Sequence, residues 1–270
     1  MTLAVRSVLF VPGGAPELLA KVVRSRPDVV VADLEDAVAP ADKAQARDAV
    51  ITALAADRPG AGTVLIRVNP PGTPWHDEDL AAAAGAAADG VVLPKYEDPG
   101  RLRAVRDALP SGARVVVGLE SALGVADARA LLDEGPDAAY FGAEDLVADL
   151  GGRRTAGGDE VLHARSAVRL AAHLARVPVV DQAVVAVRDT EGFRTDAARG
   201  RDLGYHGKIC LHPLQVQAAH EVFTPSAEEL ARARRVLDAA GGGVGVVDGR
   251  MVDAVHIAMA RGVLARAGDT

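Results

Sequence analysis

Short apolar runs recur along the chain, and each breaks off at a polar or charged residue. Ser7–Pro12 (SVLFVP), Asp28–Leu34 (DVVVADL), Thr63–Val68 (TVLIRV) and Gly90–Lys95 (GVVLPK) are the first four. Arg114–Leu119, Ala138–Gly142, Val177–Val185 (VPVVDQAVV) and Gly207–Leu211 (GKICL) follow. Their β-branched content and length predict strands. The second is nearly all apolar, as expected for a strand buried on both faces. Helical runs lie between them. Ala46, Ala49, Val50, Ala53 and Leu54 stand at helical spacing, and a helix is expected from about Pro16 to Arg24. Strand and helix alternating about eight times predicts an α/β fold, a TIM (β/α)8 barrel. A doubly wound open sheet is the structural alternative, but it would not need so many polar strand tips on one side.

The barrel is expected to occupy residues 1–215, with a C-terminal helical and hairpin extension over 216–270. Ser226-Ala-Glu-Glu229 is a capping-box pattern that opens a helix to about Ala240, and Gly241 to Gly243 end it. Asp248-Gly249 is a hairpin-turn signal between two short strands. Asp253 follows, and a last helix is expected from about Ala254 to Arg266. A closed barrel does not need this tail to complete its core, so the tail is expected to pack on a neighbouring subunit or to cover a site.

Composition narrows the function classes. The net charge of −7, without a long basic run, argues against a nucleic-acid surface. The N-terminal apolar run is too short for a signal peptide or a membrane span. Cys210 has no second cysteine to pair with, which fits a reducing cytoplasm. Apolar residues make up 49% of the chain but aromatics only 3%, so the core is built of Ala, Val and Leu.

The strand tips carry the candidate chemistry. Glu120 closes the fifth run, and Glu144 and Asp145 close the sixth. Positions 120 and 145 are one strand-helix unit apart, which brings both carboxylates to the carboxyl ends of neighbouring strands, where such folds keep their sites. Two oxygen donors there suit a hard cation such as Mg²⁺, with water and substrate completing its shell. The other reading is that these carboxylates cap the following helices. Glu35 and Asp36 at the second tip are read as groups holding metal-bound water or nearby cations. Arg67, the one charge in the third run, either stabilises an oxyanion and binds a carboxylate, or pairs with Glu35 or Asp36. Lys95 offers a Schiff base or, the favoured reading, an ion pair with the acidic tips. Gly13-Gly14 with Lys21 and Arg24 is a weak anion-binding signal. Trp75 and His76 are expected on an exposed loop, and Asp181 and Gln182 at or near the seventh tip.

The ordered set SVLFVPG, DLEDAV, RVN, LPK, GLES, FGAEDL, GKICLHP and DGRMVD resembles the citrate lyase β-subunit-like family, within the wider HpcH/HpaI aldolase and malyl-CoA lyase superfamily. The match spans nearly the whole chain. The resemblance implies a TIM barrel with a C-terminal extension, assembled as a homotrimer or a hexamer. It implies Mg²⁺ on Glu120 and Asp145, with substrate contacts at Arg67 and Glu120. Coenzyme A would run along Phe10 to Lys21, the Glu35-Asp36 loop to Val38, and the Leu211-His212 tip. Asp253 would be the acid/base, entering from the adjacent subunit. Two positions depart from the family pattern: members often have Gly where this chain has Ala37, and Pro where it has Val255.

The activity so implied is a Claisen-type carbon–carbon lyase or synthase, joining a short acyl-CoA, or the thioester of an acyl-carrier protein, and a small 2-oxo acid through a β-hydroxyacyl thioester. Three other readings stay open at this point: a metal-dependent aldolase for 4-hydroxy-2-oxo acids without a thioester, a Schiff-base aldolase through Lys95, and a non-catalytic thioester-binding subunit of a larger complex.

Overall fold

The computed structural model describes residues 5–60, 62–239 and 244–267. Eight parallel strands close on themselves: β1 (Ser7–Pro12), β2 (Val29–Asp33), β3 (Thr63–Arg67), β4 (Gly90–Leu93), β5 (Arg114–Leu119), β6 (Ala138–Phe141), β7 (Val179–Asp181) and β8 (Gly207–Cys210). β8 pairs back onto β1, with Val8 opposite Ile209, so the ring has no free edge. The expected TIM barrel is therefore borne out. Its helices are α1 (Lys43–Ala56), α2 (His76–Ala84), α3 (Pro99–Ala108), α4 (Ala122–Ala126), α5 (Ala128–Asp133), α6 (Ala143–Asp149), α7 (Asp159–Ala175), α8 (Thr190–Leu203) and α9 (Pro213–Phe223).

Side chains alternate across a strand, so every second residue points into the barrel. Val8 and Phe10, Val29 and Val31, Leu65, Val116, Ala138 and Tyr140 form the interior layers. The same parity carries Asp33, Arg67, Gly118 and Glu120 inward at the carboxyl end. Aliphatic residues, mostly valines, fill the lower layers, and charge begins only at the top.

At the opposite end, Arg6 forks onto Asp28 with Nε and NH2 at 3.0 and 2.8 Å, and the Arg6 amide adds a third bond at 2.9 Å. Ser7 Oγ accepts from the Asp28 amide and lies 2.7 Å from His220 Nε2. This cluster fastens the start of β1 to the start of β2.

The helix expected over Pro16–Arg24 forms over those residues, wound as a 3₁₀ helix. Its buried residues, Leu19 and Val22, are three apart, the repeat at which side chains of a 3₁₀ helix eclipse. The seventh strand is shorter than its apolar run, ending at Asp181. Lys208 Nζ takes the Gln182 carbonyl at 2.8 Å in place of a ladder partner, so the chain leaves the sheet there. Asp181 itself lies in a buried charge cluster with Arg165 and Lys208, at 2.8 and 2.9 Å.

Contacts divide the chain after His220. The second unit holds α10 (Ala227–Ala239), β9 (Gly245–Val247), β10 (Arg250–Val252) and α11 (Ala254–Arg266). The capping box forms as expected: the Ser226 amide donates to Glu229 at 2.7 Å, and the Glu229 amide to Ser226 Oγ at 3.1 Å. Asp248 and Gly249 both take left-handed φ values, 50° and 73°, which a type I′ hairpin turn requires. Val247 and Val252 bury one hairpin face against Ala233, Val236 and Ala260. The glycines at 241–243 lie outside the described residues. Among the described residues no helix is long and apolar enough to cross a membrane.

Candidate active site at the carboxyl end of the barrel

Arg67 and Asp33 are register partners on β3 and β2. Being opposite and inward, they lock together: Nε and NH2 of Arg67 reach the two Asp33 oxygens at 2.7 and 2.6 Å. This two-pronged pair is strong and directional. Burial alone would lower the guanidinium's pKa, but Asp33 more than offsets it and holds Arg67 well above its ordinary value. The guanidinium also lies 5.0 Å over the Phe10 ring.

Glu35 sits two residues past Asp33 and is buried. Its Oε1 accepts from Lys95 Nζ at 2.6 Å. Arg67 NH1 lies 2.6 Å from Oε2, but off the line of a hydrogen bond, so this contact is an ion pair and Oε2 has no donor. Burial, reinforced by the charges of Glu120 and Asp36 against those of Arg67 and Lys95, pushes the Glu35 carboxyl up to about 7. The turn carrying it is pinned by Lys43, whose Nζ donates to the Leu34 and Glu35 carbonyls at 2.8 and 2.6 Å. Asn69 adds a bond to the Leu34 carbonyl at 3.0 Å.

Glu120 is almost completely buried just past β5. Tyr140 Oη and the Lys95 amide both donate to its Oε1, at 2.7 and 2.8 Å. Its Oε2 lies over Gly142, where a Cβ would collide with it. Gly118 is the register partner of Tyr140, and a Cβ there would meet both Tyr140 Oη and Glu120 Oε1. The two missing side chains are what admit this carboxylate. Burial raises the Glu120 pKa, and the charge of Asp145 raises it further. Asp145 is in the first turn of α6, and Lys95 Nζ lies 3.2 Å from its Oδ1. Lys95 takes a left-handed φ of 47°, unusual for a side-chain-bearing residue, which turns its amide onto Glu120 while its ammonium bridges Glu35 and Asp145. Burial would lower its pKa, but Glu35, then Asp145 and Asp36, raise it well above the usual lysine value.

The structure thus gathers Phe10, Glu35, Arg67, Lys95, Glu120 and Asp145 at one end of the barrel. Asp36 stands at the rim, exposed, 3.5 Å from Arg67. Lys21 is exposed in the last turn of the 3₁₀ helix. Leu211 is exposed past β8, and His212 Nδ1 accepts the Leu214 amide at 3.2 Å. Asp253 belongs to the second unit, where it caps α11. Glu144 pairs with Arg154 at 2.9 Å. The ion-pairing reading of Lys95 holds. His76, expected to be exposed, is instead buried, with Nδ1 2.7 Å from the Asn69 carbonyl, and it opens α2. The loop wraps inward because Asp79 accepts from the Asn69 amide and side chain.

Tyr140, Asp33 and Lys43 were not singled out in the sequence. Asp33 had a signal: it shares the parity of Val29 and Val31. Among the described residues no group of three or more His, Cys, Asp or Glu side chains could hold a metal. Glu120 and Asp145 are the two carboxylates at the barrel mouth that would hold an ion, with water and substrate at the other positions of an octahedral shell. That is how Mg²⁺ is ordinarily held.

The family model for HpcH/HpaI aldolase/citrate lyase matches residues 6–213. The chain belongs to the HpcH/HpaI aldolase/citrate lyase family. A citrate lyase subunit beta-like protein of Deinococcus radiodurans is 45% identical over 276 residues, 96% of each chain. A (3S)-malyl-CoA thioesterase of Cereibacter sphaeroides is 35% identical, covering 97% of this chain and 94% of its own. The crystal structure of the protein CitE from Mycobacterium tuberculosis, in complex with magnesium, acetoacetate and coenzyme A, superposes with a TM-score of 0.85 at 35% identity, over 97% of both chains. The motif-based resemblance of this HpcH/HpaI family member is borne out over nearly its whole length.

Proposed function

We propose that this protein is a Mg²⁺-dependent carbon–carbon lyase or synthase of the Claisen type, acting on a short β-hydroxyacyl-CoA assembled from an acyl-CoA and a 2-oxo acid. The observation that carries the reading is the pair Glu120 and Asp145 beside Arg67 at the barrel mouth. Glu120, whose ionisation the charge of Asp145 makes costlier and one of whose oxygens lies over a bare glycine, fits a divalent cation together with Asp145. The solved structures lend support, since CitE was crystallised with magnesium and with oxo acids or coenzyme A.

Bound there, Mg²⁺ would supply Lewis-acid polarisation of the oxo-acid oxygens. Of the five N–H groups of Arg67, two end on Asp33, so the guanidinium keeps donors for the enolate or alkoxide oxygen as charge develops. Asp33 fixes its plane. Lys95 balances the acidic cluster. Phe10, Lys21, Glu35, Asp36, Leu211 and His212 serve the thioester side. The tail of a neighbouring subunit in a homotrimer or hexamer brings Asp253, which governs the proton at the thioester α-carbon. The buried Cys210 thiol, which burial pushes up to about 12, suits a reducing cytoplasm.

A thioesterase outcome is the second reading, favoured by the likeness to the Cereibacter enzyme. There the same proton-handling group acts on water. The test pairs acetyl- and propionyl-CoA with glyoxylate, pyruvate and oxaloacetate, with and without Mg²⁺, and follows thiol release in parallel. Glu120→Gln should remove most Mg²⁺-dependent turnover. Near-normal turnover in that variant would sink the metal assignment, and turnover indifferent to coenzyme A would favour a thioester-free aldolase. Coenzyme A binding without any turnover would favour the non-catalytic subunit.

A further inference from the structure

The two oxygens of Glu120 are not equivalent. Oε1 accepts from Tyr140 Oη at 2.7 Å and from the Lys95 amide at 2.8 Å. An ionised carboxylate oxygen has about two lone pairs to offer, and these two donors take both. Oε2 lies over Gly142, and among the described residues no group donates to it. Asp145 is divided in the same way: Lys95 Nζ lies 3.2 Å from Oδ1, and among the described residues nothing pairs with Oδ2. Both donors to Oε1 are fixed in place. The left-handed backbone of Lys95 aims its amide. Tyr140 is buried among the inward residues of the barrel, edge-on to Phe10 with ring centroids 6.3 Å apart and planes at 74°. It faces Gly118, where a Cβ would strike its hydroxyl. Turning away from Glu120 would leave a buried hydroxyl without its acceptor.

We infer that Tyr140 is a positioning residue for metal selection: by holding Oε1 it leaves Glu120 one oxygen for the ion, and so sets the site for Mg²⁺ against Ca²⁺. The inference rests on the reading that Glu120 and Asp145 hold the cation. Mg²⁺ demands about six oxygens at near-octahedral positions, is bound by one or two carboxylates, and keeps several waters. Ca²⁺ takes about six to eight oxygens in a looser shell and gains from carboxylates that chelate through both. A Glu120 with one free oxygen beside an Asp145 half committed to Lys95 meets the first demand and falls short of the second. The hydroxyl carries this role, not the ring. Phenylalanine at 140 would pack on Phe10 as tyrosine does, but it would hand one lone pair of Oε1 back, and the carboxylate could then present both oxygens to one ion.

Tyr140→Phe is the discriminating variant. Mg²⁺ and Ca²⁺ are titrated separately into full-length wild type and variant by calorimetry, with pyruvate present throughout. Wild type should favour Mg²⁺. In the variant the ratio of the two dissociation constants should move toward Ca²⁺ by about tenfold or more, the worth of one hydrogen bond to a charged oxygen. A general loosening of the barrel would weaken both ions alike and leave that ratio where it was. A ratio within about two-fold of wild type, whether both ions bind normally or both weaken, would overturn the inference. Wild type that prefers Ca²⁺ would do the same. Should Tyr140→Phe melt without cooperativity, wild-type crystals grown with Mg²⁺ and with Ca²⁺ decide. Each ion that binds should meet Oε2 alone, with Tyr140 still on Oε1, and an ion held by both oxygens would overturn the inference. Glu120→Gln separates this inference from the metal reading beneath it. If that variant binds Mg²⁺ as tightly as wild type, or wild type takes up neither ion, the metal reading falls and takes the inference with it. If Glu120→Gln loses Mg²⁺ while Tyr140→Phe leaves the ratio unmoved, the inference falls alone.

Discussion

Gly118 sits where β5 passes the Tyr140 ring, and nothing larger fits. A methyl there would press on Tyr140 Oη and Glu120 Oε1 together. Gly118→Ala should cost about 1–3 kcal/mol, read as a lowered denaturation midpoint. It should weaken Mg²⁺ binding in calorimetry as well, because the carboxylate must move. Wild-type affinity in this variant would mean that the Tyr140–Glu120 bond does not set the site. Lys95 allows a second test at this scale. A Schiff-base lysine needs a free amine, and burial without counter-charge is what ordinarily provides one. Here Glu35 and Asp145 hold the ammonium protonated. Borohydride with pyruvate or glyoxylate should leave the protein's mass unchanged; an adduct on Lys95 would reverse that. Arg67, Glu120 and Lys95 were legible in the sequence because each interrupts an apolar run. Asp33 and Tyr140 were not, because one looks like an ordinary strand end and the other like a core aromatic. What makes them part of the site is register, Asp33 opposite Arg67 and Tyr140 opposite Gly118, and register is set by pairing between strands that the one-dimensional pattern does not specify.

At the scale of elements, the eight strands were readable from apolar runs, and the hairpin and capping box from local turn chemistry that needs no distant partner. The early end of β7 was not, since the strand is cut by a lysine reaching over from β8, and the helix over Pro16–Arg24 was readable but not its 3₁₀ winding. The fastening of β1 to β2 opposite the site sets an acid limit on stability. Asp28 would be raised by burial, but its bonds to Arg6 and the charge of His220 bring it below the ordinary carboxylate value of 3.8. His220 is lowered from 6.5, by burial first, against the pull of Asp28. Both groups bind protons more tightly when unfolded. Their contribution is therefore complete above about pH 6.5 and is lost as pH falls, first through the histidine and then, below 3.8, through the aspartate. Asp28→Asn should cost about 1–3 kcal/mol at neutral pH and flatten the acid side of a stability–pH curve. A curve as steep as wild type would place the acid-sensitive group elsewhere.

For the whole molecule, a tail that completes the neighbouring subunit's barrel would make the site recoverable in mixed oligomers. The second unit has its own small core around Val236, Val247 and Val252, and Asp253 caps the last helix of that unit. Exposed apolar side chains remain on it, among them Val246, Met251 and Met259. Symmetric association would give each of these a partner surface. Mixing two dead proteins separates the cases. Asp253→Ala keeps an intact barrel mouth, and Glu120→Gln keeps an intact tail. If the site is shared between subunits, random reassembly of equal amounts pairs a good barrel with a good tail in about a quarter of sites, and turnover should return to about that fraction of wild type. If each tail serves its own barrel, no mixture regains activity, because every site still carries one of the two lesions. Size-exclusion chromatography of the mixture, run before and after reassembly, ties the recovered turnover to an exchanged oligomer. A recovered fraction near a quarter in a species of unchanged size would assign the tail to the neighbour. Absence of recovery despite demonstrated exchange would return Asp253 to its own chain.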